Sequence, residues 1–202
     1  MRNDLAQPII RTWLEHVETG RSWIDPALAD GAGFPSSHYT DPNHLAAEKA
    51  QLFDSRPHVV ALSADLPEPG SYVTRSQFDV PLLVTRGRDG RVRAMANVCA
   101  HRGSQVVGSL AAEANGHHGA DSRGCARRHA CPYHAWTYDE TGELVAVPDQ
   151  RAFPSVELPG PGLPPIPAVE AHGLIWAWPG ALKVMNANGG DTPAPLMEAP
   201  DL

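Results

Sequence analysis

The chain has 202 residues, 42% hydrophobic and 19% charged, with 18 glycines, 20 prolines and a formal net charge of −7. That size suits one domain with appendages, and the Gly/Pro content favours turns and short strands over a helix bundle. The acidic balance argues against nucleic acid as the main partner; with no apolar run of spanning length, no secretory h-region and an odd number of cysteines, a cytoplasmic protein without a membrane span or a disulfide framework is expected.

Residues 1–56 read as an arm of helix and loop. Ile10, Trp13, Leu14 and Val17 share one helical face over residues 9–17. Asp41-Pro42, an N-cap acid followed by proline at N1, opens a helix over 42–53, and Pro57 ends it. From His58 onward β-prone runs alternate with turn residues. Runs 59–62 and 72–74 come first. Runs 82–86 and 92–98 then flank Arg88-Asp89-Gly90-Arg91, a hairpin turn in which Asp-Gly tolerates positive φ. Further runs at 136–138 and 144–147, and at 166–171 and 174–178, flank turns at 139–142 and His172-Gly173. The expected fold is mainly β, an antiparallel sandwich or barrel over residues 57–179. Trp176 and Trp178 share a strand face and are expected in the core. Arg86, Arg88, Arg91 and Arg93 read as a solvated edge. Residues 180–202 lack an apolar period and read as a linker or loose tail.

Two segments carry chemistry. Cys99-Ala100-His101-Arg102-Gly103 and Cys131-Pro132-Tyr133-His134-Ala135-Trp136 each pair one thiol with one imidazole at a strand end. Two such loops facing each other offer two Cys and two His to one site. Zinc accepts that set as a closed tetrahedron, and a Rieske [2Fe–2S] centre accepts it with both His on one iron. Zinc sites of this composition usually run as a Cys pair and then a His pair on a helix. Two Cys–His pairs on β loops favour iron–sulfur.

Cys-x-His-Arg-Gly followed by Cys-Pro-Tyr-His-x-Trp-x-Tyr resembles the Rieske domain at the N-terminus of ring-hydroxylating oxygenase α subunits. Asp89-Gly90, Asn97-Val98-Cys99, Gly142-Glu143-Leu144-Val145 with Pro148, and His172-Gly173-Leu174-Ile175-Trp176 extend the resemblance over residues 39–178. It implies a Rieske fold with a two-loop tip, where Cys99 and Cys131 ligate one iron of a [2Fe–2S] cluster and His101 and His134 the other. It also implies contacts to the cluster from Arg102, Gly103, Ser104, Tyr133 and Trp136, with backbone N–H groups at 102–104 and 134–136 on the sulfurs. The resemblance further implies electron delivery from a ferredoxin or flavin reductase to a mononuclear iron on two His and one carboxylate, and assembly as a homotrimer. No segment after residue 166 supplies that second iron site, so the catalytic domain is expected in a missing or separate part. Neither loop carries the additional Cys of the respiratory type, which points to the oxygenase type. Two readings stand beside it: a free-standing Rieske electron carrier, and a Cys₂His₂ zinc module.

The sequence departs from the family in two more places. Between His101 and Cys131 lie 29 residues, a surplus read as a polar loop insertion around 110–123. Ala135 stands where the family usually has Gly, so its Cβ is expected to crowd the loop. His117, His118 and His129 are read as solvated, and Cys125 as a spare thiol beside the insertion.

Overall fold

The computed structural model describes residues 3–20, 35–76, 80–108 and 122–183. The chain divides into two compact units, residues 1–46 and 47–202. Among the described residues no helix is long and apolar enough to cross a membrane.

The first unit is helical. Helix α1 spans Asn3–Thr19, longer at both ends than the run 9–17 suggested. Its apolar stripe, Ile9, Ile10, Trp13, Leu14 and Val17, stays exposed. A single turn, α2 (Ser37–Thr40), precedes α3 (Pro42–Glu48). The α3 start is the one Asp41-Pro42 signals: the Asp41 carboxylate accepts from the Asn43 N–H at 2.8 Å, while proline gives up no N–H that needs a partner. The helical path continues to residue 53 as expected, but Lys49–Phe53 winds as a π-turn, with the Asp54 N–H bonded to the Lys49 carbonyl.

Among its described residues the second unit is built of three antiparallel sheets. β1 (His58–Leu62), β11 (Leu174–Ala177) and β10 (Ala168–Ala171) form the first, in that order. The middle sheet runs β5 (Arg123–Cys125), β2 (Ser71–Arg75), β3 (Leu82–Arg86), β4 (Val92–Ala96), β9 (Pro165–Ile166). β6 (Arg128–Ala130), β7 (Thr137–Asp139) and β8 (Leu144–Ala146) make the third. The middle sheet is buried on both faces. Leu82, Val84, Ala94 and Ala96 join Val60, Ile175 and Ala177 in one core cluster. The alternate residues Leu83 and Met95 join Cys99, Cys131, Trp136, Tyr138 and Leu144 in a second. Period-two alternation thus assigns each strand residue to one of two cores. The mainly β, antiparallel fold is the one expected. Strands β5 and β6 were not foreseen, because Arg-Gly-Cys and Arg-His-Ala are too short and polar to show alternation.

Three expectations are corrected. Ile175 and Ala177, not Trp176 and Trp178, face the core; the two tryptophans lie half-buried on the opposite face. The arginine edge is largely paired: Arg86 forks onto Glu170 at 2.7 and 2.9 Å, Arg93 onto Asp89, and Arg88 reaches Glu140 at 3.2 Å. Residues 180–183, read as the start of a linker, are packed into the unit. Ala181 and Leu182 are buried, the Trp178 indole donates to the Asp54 carbonyl at 2.7 Å, and Lys183 meets the Asp54 carboxylate at 2.8 Å. Gly180 is required there, since a Cβ would fall 2.0 Å from the Asp54 carbonyl oxygen. The expected linker over the rest of the tail lies outside the described residues.

Candidate metal centre

The two Cys–His segments are loops of one design. In the first, the Cys99 N–H donates to the Ser104 carbonyl at 2.8 Å and the Gly103 N–H donates back to the Cys99 carbonyl at 2.9 Å. In the second, the Cys131 N–H donates to the Trp136 carbonyl and the Ala135 N–H to the Cys131 carbonyl, both at 2.8 Å. Each loop therefore closes from the cysteine to the fifth residue beyond it, and each turns at the fourth through a positive φ: 73° at Gly103, 54° at Ala135. The shared pattern is hidden in the sequence because the histidine stands two residues after Cys99 but three after Cys131. It also corrects one expectation: the N–H groups of Gly103 and Ala135 close their own loops instead of facing sulfur.

The loops end against a buried scaffold. Asn97, 1% exposed, accepts from the N–H groups of Val106 (3.1 Å) and Val107 (3.0 Å) through Oδ1 and donates to the Val107 carbonyl through Nδ2. It thereby pins the far end of the first loop to its start. Tyr138 is fully buried, and its hydroxyl lies 3.2 Å from Cys99 Sγ and 3.0 Å from the Ala100 nitrogen. The amide can only donate, so the hydroxyl accepts from Ala100 and directs its own proton at the sulfur. Burial, then the bond to Cys99, pushes the phenol well above its ordinary pKa, so it stays a donor.

Cys99 and Cys131 are free and buried, 3% and 2% exposed. The His101 and His134 rings meet at 4.7 Å and 67°. His101 stacks flat on Trp136 (4.8 Å, 7°), and Phe153 stands edge-on to both rings. Tyr133, 57% exposed, lies 3.8 Å from His134. The His101 Nδ1 is buried without a hydrogen-bond partner. Burial and the charges of His134 and Arg102 push its pKa down, favouring the neutral ring that a metal takes as a ligand. Among the described residues no three of His, Cys, Asp and Glu converge round one point as a mononuclear site requires.

Other residues are placed differently from expectation. His129, read as solvated, is 4% exposed on β6, edge-on to Tyr72 at 5.1 Å, with Nε2 unpartnered; burial pushes its pKa down against the pull of Glu140 and Asp139. Cys125 is exposed and unpaired on β5, in keeping with a spare thiol. His117, His118 and most of the insertion lie outside the described residues, but its two roots meet: a Cβ on Gly108 would touch Ser122 Oγ at 3.1 Å, and Thr74 Oγ1 accepts from the Ser122 N–H at 2.8 Å. Asn97 and Phe153 gave no chemical signal in the sequence, because their roles depend on partners at other places in the fold.

Residues 56–159 match the Rieske [2Fe–2S] domain family, and the chain belongs to it. Its cofactor is therefore a [2Fe–2S] cluster. The donor set fits that group: two buried thiols, two imidazoles on the same tip, and a buried, unpartnered Nδ1 on one of them.

The chain is similar to the glycine betaine monooxygenase oxygenase subunit of Chromohalobacter salexigens, with 30% identity over 70% of this chain and 29% of that protein. It is 34% identical to the anthranilate 1,2-dioxygenase large subunit of Burkholderia cepacia over 60% of this chain and 26% of that one. In solved structures, naphthalene 1,2-dioxygenase from Rhodococcus sp. superposes with a TM-score of 0.60 and 29% identity over 71% of this chain and 30% of that one. A quaternary ammonium Rieske monooxygenase gives 0.60 and 27% over 73% of this chain and 38% of that one. The chain thus spans about a quarter to a third of the curated relatives' length.

Proposed function

We propose that this chain is the Rieske electron-transfer module of a ring-hydroxylating or related oxygenase α subunit, a component of an aromatic-compound oxidation system. Cys99 and Cys131 would hold one iron of the cluster, and His101 and His134 the other. The observation that carries the assignment is the pair of like-folded loops presenting two buried thiols below and two imidazoles at the tip. Arg102, Gly103, Ser104, Tyr133 and Trp136, which belong to those two loops, would line the bound cluster. The bound cluster supplies reversible one-electron storage, at a higher potential than a Cys₄ cluster because neutral imidazoles replace two thiolates.

The chain's own residues set the conditions. The Tyr138 hydroxyl directs a proton at Cys99 Sγ and steadies thiolate charge. Trp136 and Phe153 fix the His101 ring and keep water from its inner nitrogen. His134 and Tyr133 remain exposed where a partner can approach. The electron comes from a ferredoxin or flavin reductase and leaves for a mononuclear iron in a catalytic domain outside these residues; homotrimeric assembly through that domain belongs to the same reading.

The test is an optical spectrum followed by electron paramagnetic resonance after dithionite reduction. Visible absorbance with a reduced signal averaging about g = 1.9, expected for His₂Cys₂ ligation, supports the assignment. One zinc per colourless chain overturns it. Cys99→Ser, Cys131→Ser, His101→Ala and His134→Ala should each abolish the signal, whereas Cys125→Ser should leave it unchanged.

A further inference from the structure

Beyond β8, residues 149–156 form a turn bonded to itself. Asp149 enters it through the left-handed region at φ 49°. The Ala152 N–H donates to the Asp149 carbonyl at 2.8 Å, and the Phe153 N–H to the Gln150 carbonyl at 2.9 Å. The Val156 N–H then donates to the Phe153 carbonyl at 3.0 Å. The Gln150 side chain closes the turn, its Nε2 donating to the Val156 carbonyl at 2.9 Å. Gln150 thus grips Phe153 with its backbone carbonyl and Val156 with its side-chain amide. Among the described residues no hydrogen bond leaves this segment, so packing and the chain itself tie it to the domain. Phe153 and Val156 rest against the core cluster that holds Cys99, Cys131 and Trp136.

Phe153 has a defined place beside the two Cys–His loops. His101 lies flat on Trp136, with ring centres 4.8 Å apart at 7°. The Phe153 ring is close to perpendicular to both, at 5.5 Å and 85° from His101 and at 5.4 Å and 89° from Trp136. Nearly equal distances from two stacked rings put Phe153 beside the stack, across the edges of both. Aromatic stacks tolerate offset, so Trp136 fixes the plane of the imidazole but lets it slide along that plane. A perpendicular ring at the edge stops the slide on that side. Groups that orient a ligand imidazole are part of what holds a metal.

We propose that Gln150 is a positioning residue of the metal centre: by closing the turn over 149–156 it holds Phe153 at the edge of the His101–Trp136 stack and so fixes the ligand imidazole. The proposal rests on the reading of His101 as an iron ligand and adds a residue outside both Cys–His loops. Gln150 is exposed and bonds only within its own turn. Its truncation therefore frees Phe153 without opening a cavity or a sheet. The effect falls on how firmly the ring is aimed and how fast iron is released.

The test uses the full chain carrying cluster, as wild type, Gln150→Leu, Gln150→Lys, Phe153→Ala and the Gln150→Leu/Phe153→Ala double variant. Leucine keeps the bulk of the side chain and loses the donor, whereas lysine keeps a donor of similar reach. Two quantities are read: the rate at which the dithionite-reduced protein bleaches in excess ferrous chelator, and the nitrogen couplings of the histidine ligands by pulsed electron paramagnetic resonance. Gln150→Leu should bleach about threefold faster than wild type and Phe153→Ala about tenfold faster. Both should broaden the spread of nitrogen couplings, and Gln150→Lys should match wild type. The double variant should bleach no faster than Phe153→Ala alone, because Gln150 acts through Phe153. Unchanged couplings in Gln150→Leu, whatever its stability, mean a merely structural role and overturn the proposal. Equal defects in the leucine and lysine variants, or a double variant whose effects multiply, overturn it as well. If Phe153→Ala does not fold, the contrast between Gln150→Leu and Gln150→Lys decides alone. Failure of the underlying reading shows separately, as a wild-type chain that takes up no cluster and has no visible absorbance to follow.

Discussion

The hydroxyl of Tyr138 lies 3.2 Å from the sulfur of Cys99 and takes the Ala100 N–H at 3.0 Å, so its own proton is directed at the sulfur. Tyr138 sits on β7, 39 residues from Cys99, in the floor beneath both loops. A donor aimed at a ligand sulfur stabilises the more negative, reduced state more than the oxidised one.

Tyr138→Phe should therefore lower the reduction potential by up to roughly 65–130 mV, the one-electron equivalent of the roughly 1.5–3 kcal/mol that a hydrogen bond to a charged group contributes. The cluster should still assemble, because no ligand is lost. Redox titration followed by resonance spectroscopy checks this; an unchanged potential would show that the bond does not tune the centre.

The like-folded loops give a reciprocal pair of predictions. Ala135 occupies the left-handed region at φ 54°, at about 1–2 kcal/mol for a residue with Cβ. Glycine removes that strain but adds about 0.5–1 kcal/mol of chain entropy to the unfolded state. Ala135→Gly should thus stabilise the domain slightly, by up to roughly 1 kcal/mol. Gly103→Ala, with no atom within 4 Å of the new Cβ, should cost about 1 kcal/mol through backbone strain alone. Thermal or urea unfolding of the two variants decides it.

Asn97→Ala leaves two loop N–H groups, one of them on buried Val106, without their acceptor. The expected cost is about 2–4 kcal/mol. The variant should unfold earlier and lose cluster faster on dilution, as followed by visible absorbance.

The Arg86–Glu170 fork joins the middle sheet to the first. The Arg86 guanidinium holds the Glu170 carboxyl below its ordinary range. A depressed carboxylate pKa stabilises the fold above the unfolded value near 4.5 and loses that stabilisation as pH falls through the folded value. Glu170→Gln should be less stable than wild type at neutral pH, with the gap closing below about pH 4. Denaturant melts at several pH values measure it; a gap that widens on acidification would contradict the assignment.

Replacing residues 109–121 by two or three glycines should leave the fold and the cluster spectrum intact, because the roots at Gly108 and Ser122 already touch and loop-closure cost changes slowly with length. Loss of cluster in that variant would give the insertion a structural role.

The sequence by itself determined the two Cys–His segments, the antiparallel β class and the hairpins at Asp89-Gly90 and His172-Gly173. These are local: thiol and imidazole chemistry, period-two alternation and positive-φ turn residues are each readable within a few positions. Only the tertiary structure decided what surrounds them. Tyr138 reaches Cys99, Phe153 closes on His101, Asp54 anchors Trp178 and Lys183, and His129 is buried rather than solvated. Each of these depends on packing between residues far apart in the chain, and a polar or aromatic residue carries no local sign of which distant partner it will meet.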